Sequence, residues 1–334
     1  MRGLFRSIVL VLSLHGCAGI YSVVEFEVLE PANVSLPEDV GQLMILNRSP
    51  FTLNTIHEDN RVDMDLEQMV IVDTTIINNI FRGLLEVLRQ SPIRRFHFPV
   101  YLSQRRGDTT SLQDLILTKR EVTTLCEKYI SDAIISLESY TIHLDEEKEY
   151  YTYAEDILLS RYYPVSSKLQ WNIYLPGHPK PFDSYTMMDT IFFSEIVDGV
   201  VQPLPSYMEM ITELCYGSGM RYGAYLVPVW TQSSRVLYKG KGDSLKQASK
   251  LTAQGDWDHA YKIWKGLTTS DDSTMVSKAF HNMALYYELE DNLDSASLLI
   301  NMAVEHDTLE MVRLYKEELD TRILNRNELF NQVR

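Results

Sequence analysis

The chain has 334 residues, 45% of them hydrophobic, and its 31 Lys and Arg face 46 Asp and Glu for a net charge of −15. With 20 tyrosines in addition, it can build real cores and is not a disordered polymer; its length is that of about two domains. The acidic balance excludes nucleic acid as a partner, because a phosphate backbone selects clustered lysine and arginine. Charge alone does not bring such a chain to anionic headgroups either.

At the N-terminus Arg2 and Arg6 precede an apolar run from Ile8 to Leu14. That run is too short for a membrane helix, which needs roughly 20 apolar residues, but it suits the hydrophobic segment of a secretory signal. Leu14-His15-Gly16-Cys17 then resembles the lipobox of bacterial lipoproteins, with His15 atypical for its position. A small residue before the cysteine admits a peptidase, and the thiol is the nucleophile that takes a diacylglycerol. The resemblance implies a signal peptide over 1–16, lipidation of Cys17, a tether over 17–24 and membrane attachment through acyl chains. One chain anchors only marginally, whereas the two or three of a lipoprotein hold firmly. Ala18, Gly19 and Ile20 follow, with no acid before Glu25, a pattern similar to that of outer-membrane lipoproteins facing the periplasm. A plain secretory signal or a buried N-terminal strand is the alternative reading.

Residues 25–238 alternate strand-like and helix-like segments. VEFEVLEPANVSLP reads as an opening strand and a proline-bounded loop, and 42–49 (QLMILNRS) as a buried strand. Ile76, Ile77, Ile80, Phe81, Leu84, Leu85 and Leu88 recur at three- and four-residue steps, so 72–88 is a helix, with Asp73 placed to cap it. Next come a strand over 93–102, a helix over 118–131 and a strand over 132–144; the tyrosine-rich connector 149–163 has no clear assignment. KLQWNIYLPG and YTMMDTIFFSEIVDG read as an antiparallel pair joined by GHPKPFDS, followed by a helix over 206–217 and a strand over 222–238. This order predicts an α/β domain with a mixed sheet, similar in pattern to the small α/β domains of periplasmic lipoproteins. Cys126 and Cys215 either pair in an oxidising compartment or are two buried thiols.

Residues 239–334 predict an all-α domain. Ala260 and Ala296 stand 36 residues apart, close to the roughly 34-residue tetratricopeptide period. Around them Ala248, Leu251, Gly255 and Trp264 in one copy, and Phe280, Met283, Ala284, Tyr287, Ile300 and Ala303 in the other, follow that repeat's large and small slots. Small residues let paired helices approach and large ones fill the gaps. Gly255 ends one helix and Asp256 caps the next. A last helix over 308–331, with Leu309, Val312, Leu319, Ile323, Leu329 and Phe330, caps the repeats. The fold class is therefore an α/β mixed-sheet domain followed by a tetratricopeptide-like helical domain.

The lipobox, EPANVSLPEDVGQLMILNRS, DAIISLES, the VPVW…R run at 227–235 and the GDW–A–W repeat together resemble an uncharacterised family of Bacteroidota lipoproteins with C-terminal tetratricopeptide repeats, a domain of unknown function. The resemblance implies architecture and anchoring and supplies no reaction. Catalytic signatures are missing: there is no HExxH and no CxxC, Gly217-Ser218-Gly219 lacks nucleophile-elbow spacing, and GKGDS (240–244) lacks phosphate-loop order. The reading assigns no catalytic, cofactor-binding or metal-binding residue. It is a non-enzymatic, lipid-anchored scaffold whose repeats present a groove to a protein or peptide partner. Lys278, His281, Leu285 and Glu288 fall where such a groove is lined. The alternative is a glycan-binding or hydrolytic lipoprotein of a polysaccharide-utilisation system, in which the aromatics of YYTYAEDILLSRYYPVSSKLQW stack on sugar rings; the same aromatics also suit core packing.

Overall fold

The computed structural model describes residues 21–50, 66–92, 96, 101–103, 116–144, 147–153, 156–194, 196–197, 200–201, 203–240 and 242–333. Cys17 and the lipobox lie outside the described residues. The chain forms two compact units, one comprising Ala32–Pro228 and the other Met1–Pro31 with Val229–Arg334. The opening strand β1 (Tyr21–Glu30) buries Val24, Phe26 and Val28 on one face, as its alternating sequence requires. It begins at Tyr21, so the last four residues of the expected 17–24 tether are already strand.

In the 32–228 unit the sheet is built around β2 (Leu43–Asn47), whose five residues are all buried. A strand covered on both faces has no polar side to show. The helix α1 (Leu66–Gln90) leads to β3 (Tyr101–Ser103), and α2 (Lys119–Tyr129) leads to β4 (Ala133–Leu144); β3 and β4 flank β2, both parallel to it. Parallel neighbours require such crossovers. α2 starts where expected, on a capping box in which Thr118 and Glu121 satisfy each other's backbone amides. Of the strand expected over 93–102, the described part is β3 with the single residue Phe96; 93–95 and 97–100 lie outside the described residues.

The connector left unassigned by sequence becomes β5 (Glu147–Tyr153) and the start of β6 (Asp156–Tyr174), an antiparallel hairpin. The remainder of β6 pairs with β4 on one edge and with β7 (Asp183–Ser194) on the other, the expected antiparallel pair. The short pair β8 (Ile196–Val197) and β9 (Val200–Val201) follows. Trp171 of β6 faces α1, where Phe81 meets it edge-on, while Met44, Leu46, Ile134 and Tyr174 face α2 with Val122 and Cys126. The sheet thus carries helices on both faces.

Three expectations shift here. α1 begins seven residues before Asp73, which is buried inside the helix and accepts the Tyr140 hydroxyl instead of capping anything. The helix placed at 206–217 runs on as α3 (Tyr207–Leu226), so the following strand β10 (Val229–Tyr238) is correspondingly shorter. Cys126 and Cys215 are both free and buried, on helices against opposite faces of the sheet. Burial pushes both thiols up, that of Cys215 to about 12.

The extension of α3 comes from how it crosses α1. A Cβ on Gly219 would stand 1.9 Å from the Ile80 carbonyl oxygen, and one on Gly83 would stand 2.1 Å from that of Tyr216. Only bare backbone allows this approach. Glycine is a poor helix former, so local propensity stops the helix at Gly217 while packing carries it through. Gly217 itself has nothing within 4 Å of its Cβ position. The pair makes a clean test: Gly219→Ala should lower stability in urea denaturation by about 1–3 kcal/mol or more, the cost of overpacking, whereas Gly217→Ala should raise it by about 0.5–1 kcal/mol.

In the second unit β10 returns to pair antiparallel with β1, Tyr21 opposite Tyr238 and Glu30 opposite Val229. Five helices complete it: α4 (Asp243–Ala253), α5 (Trp257–Leu267), α6 (Ser273–Leu289), α7 (Leu293–His306) and α8 (Glu310–Val333), each packed on the next. Ala248, Ala260, Ala279, Ala284, Ala296 and Ala303 are fully buried at the crossings, and Trp264 fills a gap between them. Gly255 takes a positive φ of 81° and Asp256 accepts from the His259 amide, as expected of a helix stop followed by a cap. Phe330 of α8 is exposed, unlike the other apolar residues expected to pack there. The expected fold class, a mixed-sheet α/β region followed by an all-helical one, is what the chain forms. Its compact units nevertheless divide before β10, not after it, because β1 and β10 bury Val24, Phe26, Val28, Leu237 and Tyr238 in the helical core.

Candidate functional site

The four residues expected to line a groove all lie on α6, at steps of three and four. Asp272 caps this helix by accepting from the Met275 amide. Lys278 is half-buried, but His281, Leu285 and Glu288 are each 0% exposed. Their face is not open to a partner, because β10 of the same chain lies on it. Leu285 packs into the shared core with Val24, Phe26 and Leu237. His281 donates from Nε2 to the Val236 carbonyl at 2.7 Å, an assignment forced by the acceptor-only oxygen.

Sequence reasoning missed the residue that grips hardest. Asn282 accepts the Tyr238 amide at 2.9 Å and donates Nδ2 to the Tyr238 carbonyl at 2.8 Å. Together His281 and Asn282 satisfy three backbone groups on β10. A histidine followed by an asparagine inside an otherwise apolar helix turn was the available signal, since buried polar side chains need partners.

Glu288 is the electrostatic centre. Arg235 of β10 meets it with two parallel bonds, Nε to Oε2 at 3.2 Å and Nη2 to Oε1 at 3.0 Å. Arg322 of α8 reaches Oε1 at 3.0 Å and also Asp291 at 3.2 Å. Arg235 is further held by Glu318 at 3.1 Å and lies over the rings of Phe26 and Tyr315. Two arginines and three carboxylates therefore join strand, α6 and α8 in one network. Burial, with the Glu288 charge next in importance, keeps the Tyr315 phenol well above its ordinary range.

A second polar cluster sits in the 32–228 unit, at the carboxyl ends of the parallel strands. The winding changes direction at β2, with β3 on one side and β4 on the other, the place where open α/β sheets characteristically hold ligands. There Arg48 Nη1 contacts both oxygens of Glu138 at 3.1 and 3.0 Å, the Tyr174 hydroxyl donates to Glu138 at 2.9 Å, and Asn172 donates to Tyr174 at 2.9 Å. Ser184 closes the chain onto Asn172 at 2.8 Å. Burial and then the Glu138 charge push the Tyr174 phenol up to about 12, so it remains a donor at neutral pH. Arg48 and Glu138 come from the segments LMILNRS and DAIISLES, yet neither stood out as a site residue.

Trp171, one of the aromatics considered for sugar stacking, is fully buried and stacks on Tyr222 at 4.1 Å between ring centroids. Tyr185 and Tyr225 form a parallel pair beside it, also at 4.1 Å. Trp171 and Tyr222 are core and Tyr185 and Tyr225 are half-buried, while the side chains of most of the tyrosine-rich stretch lie outside the described residues. Among the described residues no group of three or more His, Cys, Asp or Glu is arranged to hold a metal, and no helix is long and apolar enough to cross a membrane.

These features define a two-part protein, a mixed-sheet α/β region with a buried arginine–carboxylate cluster and a helical region that holds a strand ribbon. The chain belongs to the family described as a domain of unknown function, DUF8603, which matches residues 40–238. A second domain of unknown function, DUF6340, matches residues 246–321. The first match runs through β10, although that strand packs with the helices. No curated protein matches the chain. Among solved structures, the chain is similar to a neuraminyllactose-binding hemagglutinin homolog from Helicobacter pylori at 8% identity and a TM-score of 0.29, over 69% of this chain and 94% of that one. A likeness at that level carries no argument.

Two predictions follow from the α6 face. Asn282→Leu leaves the Tyr238 amide and carbonyl unpaired, and urea denaturation should show a loss of about 2–4 kcal/mol. Burial drives the His281 imidazole down to about 4 from the usual 6.5, against a smaller opposing effect of the Val236 carbonyl. The unfolded chain therefore takes up this proton near pH 6.5 while the folded chain stays neutral. The stability that neutral His281 supports is fully present above about pH 6.5 and is lost as pH falls toward 4, by up to about 3 kcal/mol. His281→Gln, which can still donate to Val236, should flatten the pH dependence of the urea midpoint in that window.

Proposed function

We propose that the chain is a non-enzymatic, lipid-anchored protein of the bacterial envelope, held at the outer membrane through Cys17 and facing the periplasm, whose tetratricopeptide-like helices serve as a protein-interaction scaffold. The observation that carries this reading is the way α6 treats an extended strand. His281 and Asn282 bind main-chain groups of Val236 and Tyr238, which is how a surface holds extended chain with little regard to side-chain identity. Helical repeats built to grip an extended segment suit a scaffold better than an enzyme. In this chain the gripped segment is its own β10, so a protein or peptide partner meets the outer surface of the helices, where Leu324 is 68% and Phe330 57% exposed on α8. The lipobox and the N-terminal charge pattern support the anchor, and the repeat spacing supports the name of the helices.

The test is recovery of a partner from detergent-solubilised envelope by the native, lipidated protein. A stoichiometric partner should co-purify and should be lost when Leu324→Glu and Phe330→Glu are introduced together. Cys17→Ser should abolish both the acyl mass and sedimentation with envelopes. Recovery of no partner, alongside glycan binding or cleavage by the purified protein, would overturn the scaffold reading.

A further inference from the structure

We infer that the Tyr21–Tyr238 end of the β1–β10 ribbon is a membrane-facing surface, seated on phospholipid headgroups when Cys17 carries its acyl chains. The inference rests on the anchored reading above and adds an orientation to it.

The length of free chain sets how far the body can stand from the bilayer. The sequence expectation left eight residues, 17–24, as a spacer, enough for a body to swing clear of the bilayer. Strand pairing removes half of that. Tyr21 is already paired with Tyr238, so four residue steps separate the acylated cysteine from a fixed strand. Fully extended, four steps reach about 14 Å, whereas the ten-residue ribbon is about 30 Å long. The glycerol attached to Cys17 sits at the headgroup level. The Tyr21 end is consequently held close to that level, and the Glu30–Val229 end is free to stand a ribbon's length away.

The side chains at the near end fit an interface. Tyr21 is 41% and Val23 56% exposed, although both belong to a strand whose other face is core. Tyr21 lies against Tyr238 with ring centroids 5.3 Å apart. An amphipathic tyrosine with one wet and one apolar side suits the headgroup region of a bilayer. Lys278 places its ammonium over the Tyr238 ring at 5.7 Å, and Lys239 is the next residue in the chain, so this end of the ribbon carries two lysines, of the charge that headgroup phosphates attract. Asp307, whose charge acts on Tyr238, already accepts the Thr274 hydroxyl at 2.6 Å. The face that carries Tyr21 and Val23 changes character along the strand, with Glu25 and Glu27 appearing only farther from the anchor.

The experiment uses the lipidated full-length protein in phosphatidylcholine–phosphatidylethanolamine vesicles carrying a headgroup spin-labelled lipid. A fluorophore is placed on Lys239→Cys, just past the end of β10, or, separately, on Gln232→Cys, seven residues earlier and toward the Val229 end of that strand; the native Cys126 and Cys215 are buried and react slowly. Quenching at position 239 should exceed that at 232 by at least threefold. A ten-residue Gly/Ser insertion after Gly19 should erase the difference while vesicle flotation is kept. Equal or reversed quenching in the uninserted protein, with flotation intact, overturns this inference and leaves the anchor standing. A wild-type sample that fails to float overturns the anchored reading and takes the orientation with it.

Discussion

The helical unit depends on a carboxylate that no water reaches. Glu288 is fully buried, and by itself such a charge would be untenable, since removing an ion from water costs several kcal/mol even after relaxation. Arg235 and Arg322 make it tenable. Arg235 supplies two parallel, charge-assisted bonds that a lysine could not reproduce, and Arg322 spans Glu288 and Asp291. Because each member comes from a different element, the triad specifies which strand lies on α6 and how α8 crosses it. Its contribution is one of register more than of net stability. Replacing the whole triad with apolar residues could leave the unit folded, whereas losing one member leaves a naked charge inside it.

That constraint closes one face of the helical region. A repeat surface with an open concave face presents its lining residues to solvent, and the spacing of Lys278, His281, Leu285 and Glu288 suits such a lining. Here the face is closed by the chain itself. β10 lies on it, fastened at its backbone by His281 and Asn282 and at a side chain by Arg235. The strand that closes the face is paired with β1, the first described element after the candidate anchor. The helices are thereby coupled directly to β1.

The α/β unit follows a different economy, with backbone proximity at its centre in place of charge. Gly83 and Gly219 let α1 and α3 approach until side chains would collide with carbonyl oxygens, which brings Trp171 and Tyr222 into a sealed stack beneath them. On the opposite face α2 covers only the start of β4, and the Arg48–Glu138–Tyr174–Asn172–Ser184 chain occupies the polar ground beyond it. Each side chain in that chain is matched to a neighbour of the right kind, a donor to an acceptor, so burial leaves the network satisfied.

Periodicity, turn residues and caps made much of this readable in one dimension. The apolar stripe from Ile76 to Leu88, the Thr118–Glu121 capping box, the alternation in β1 and the alanine spacing from Ala248 to Ala303 are local patterns, and local hydrogen bonding or a single amphipathic face realises each of them. What failed to read were decisions taken at a distance. Asp73 looks like a cap but ends up bonded to Tyr140, sixty-seven residues away. The helix continues through Gly217 because packing carries it on to Gly219, where the α1 backbone leaves no room for a side chain. The tyrosine-rich connector becomes a hairpin because β4 and β6 extend past the body of the sheet. β10 abandons the domain that precedes it because Arg235 has its carboxylate on α6. Composition and spacing determined which elements form and where their apolar faces lie; only the tertiary structure decided which strand fills the face of α6, since desolvated charge and close backbone contact exist only between residues that folding brings together.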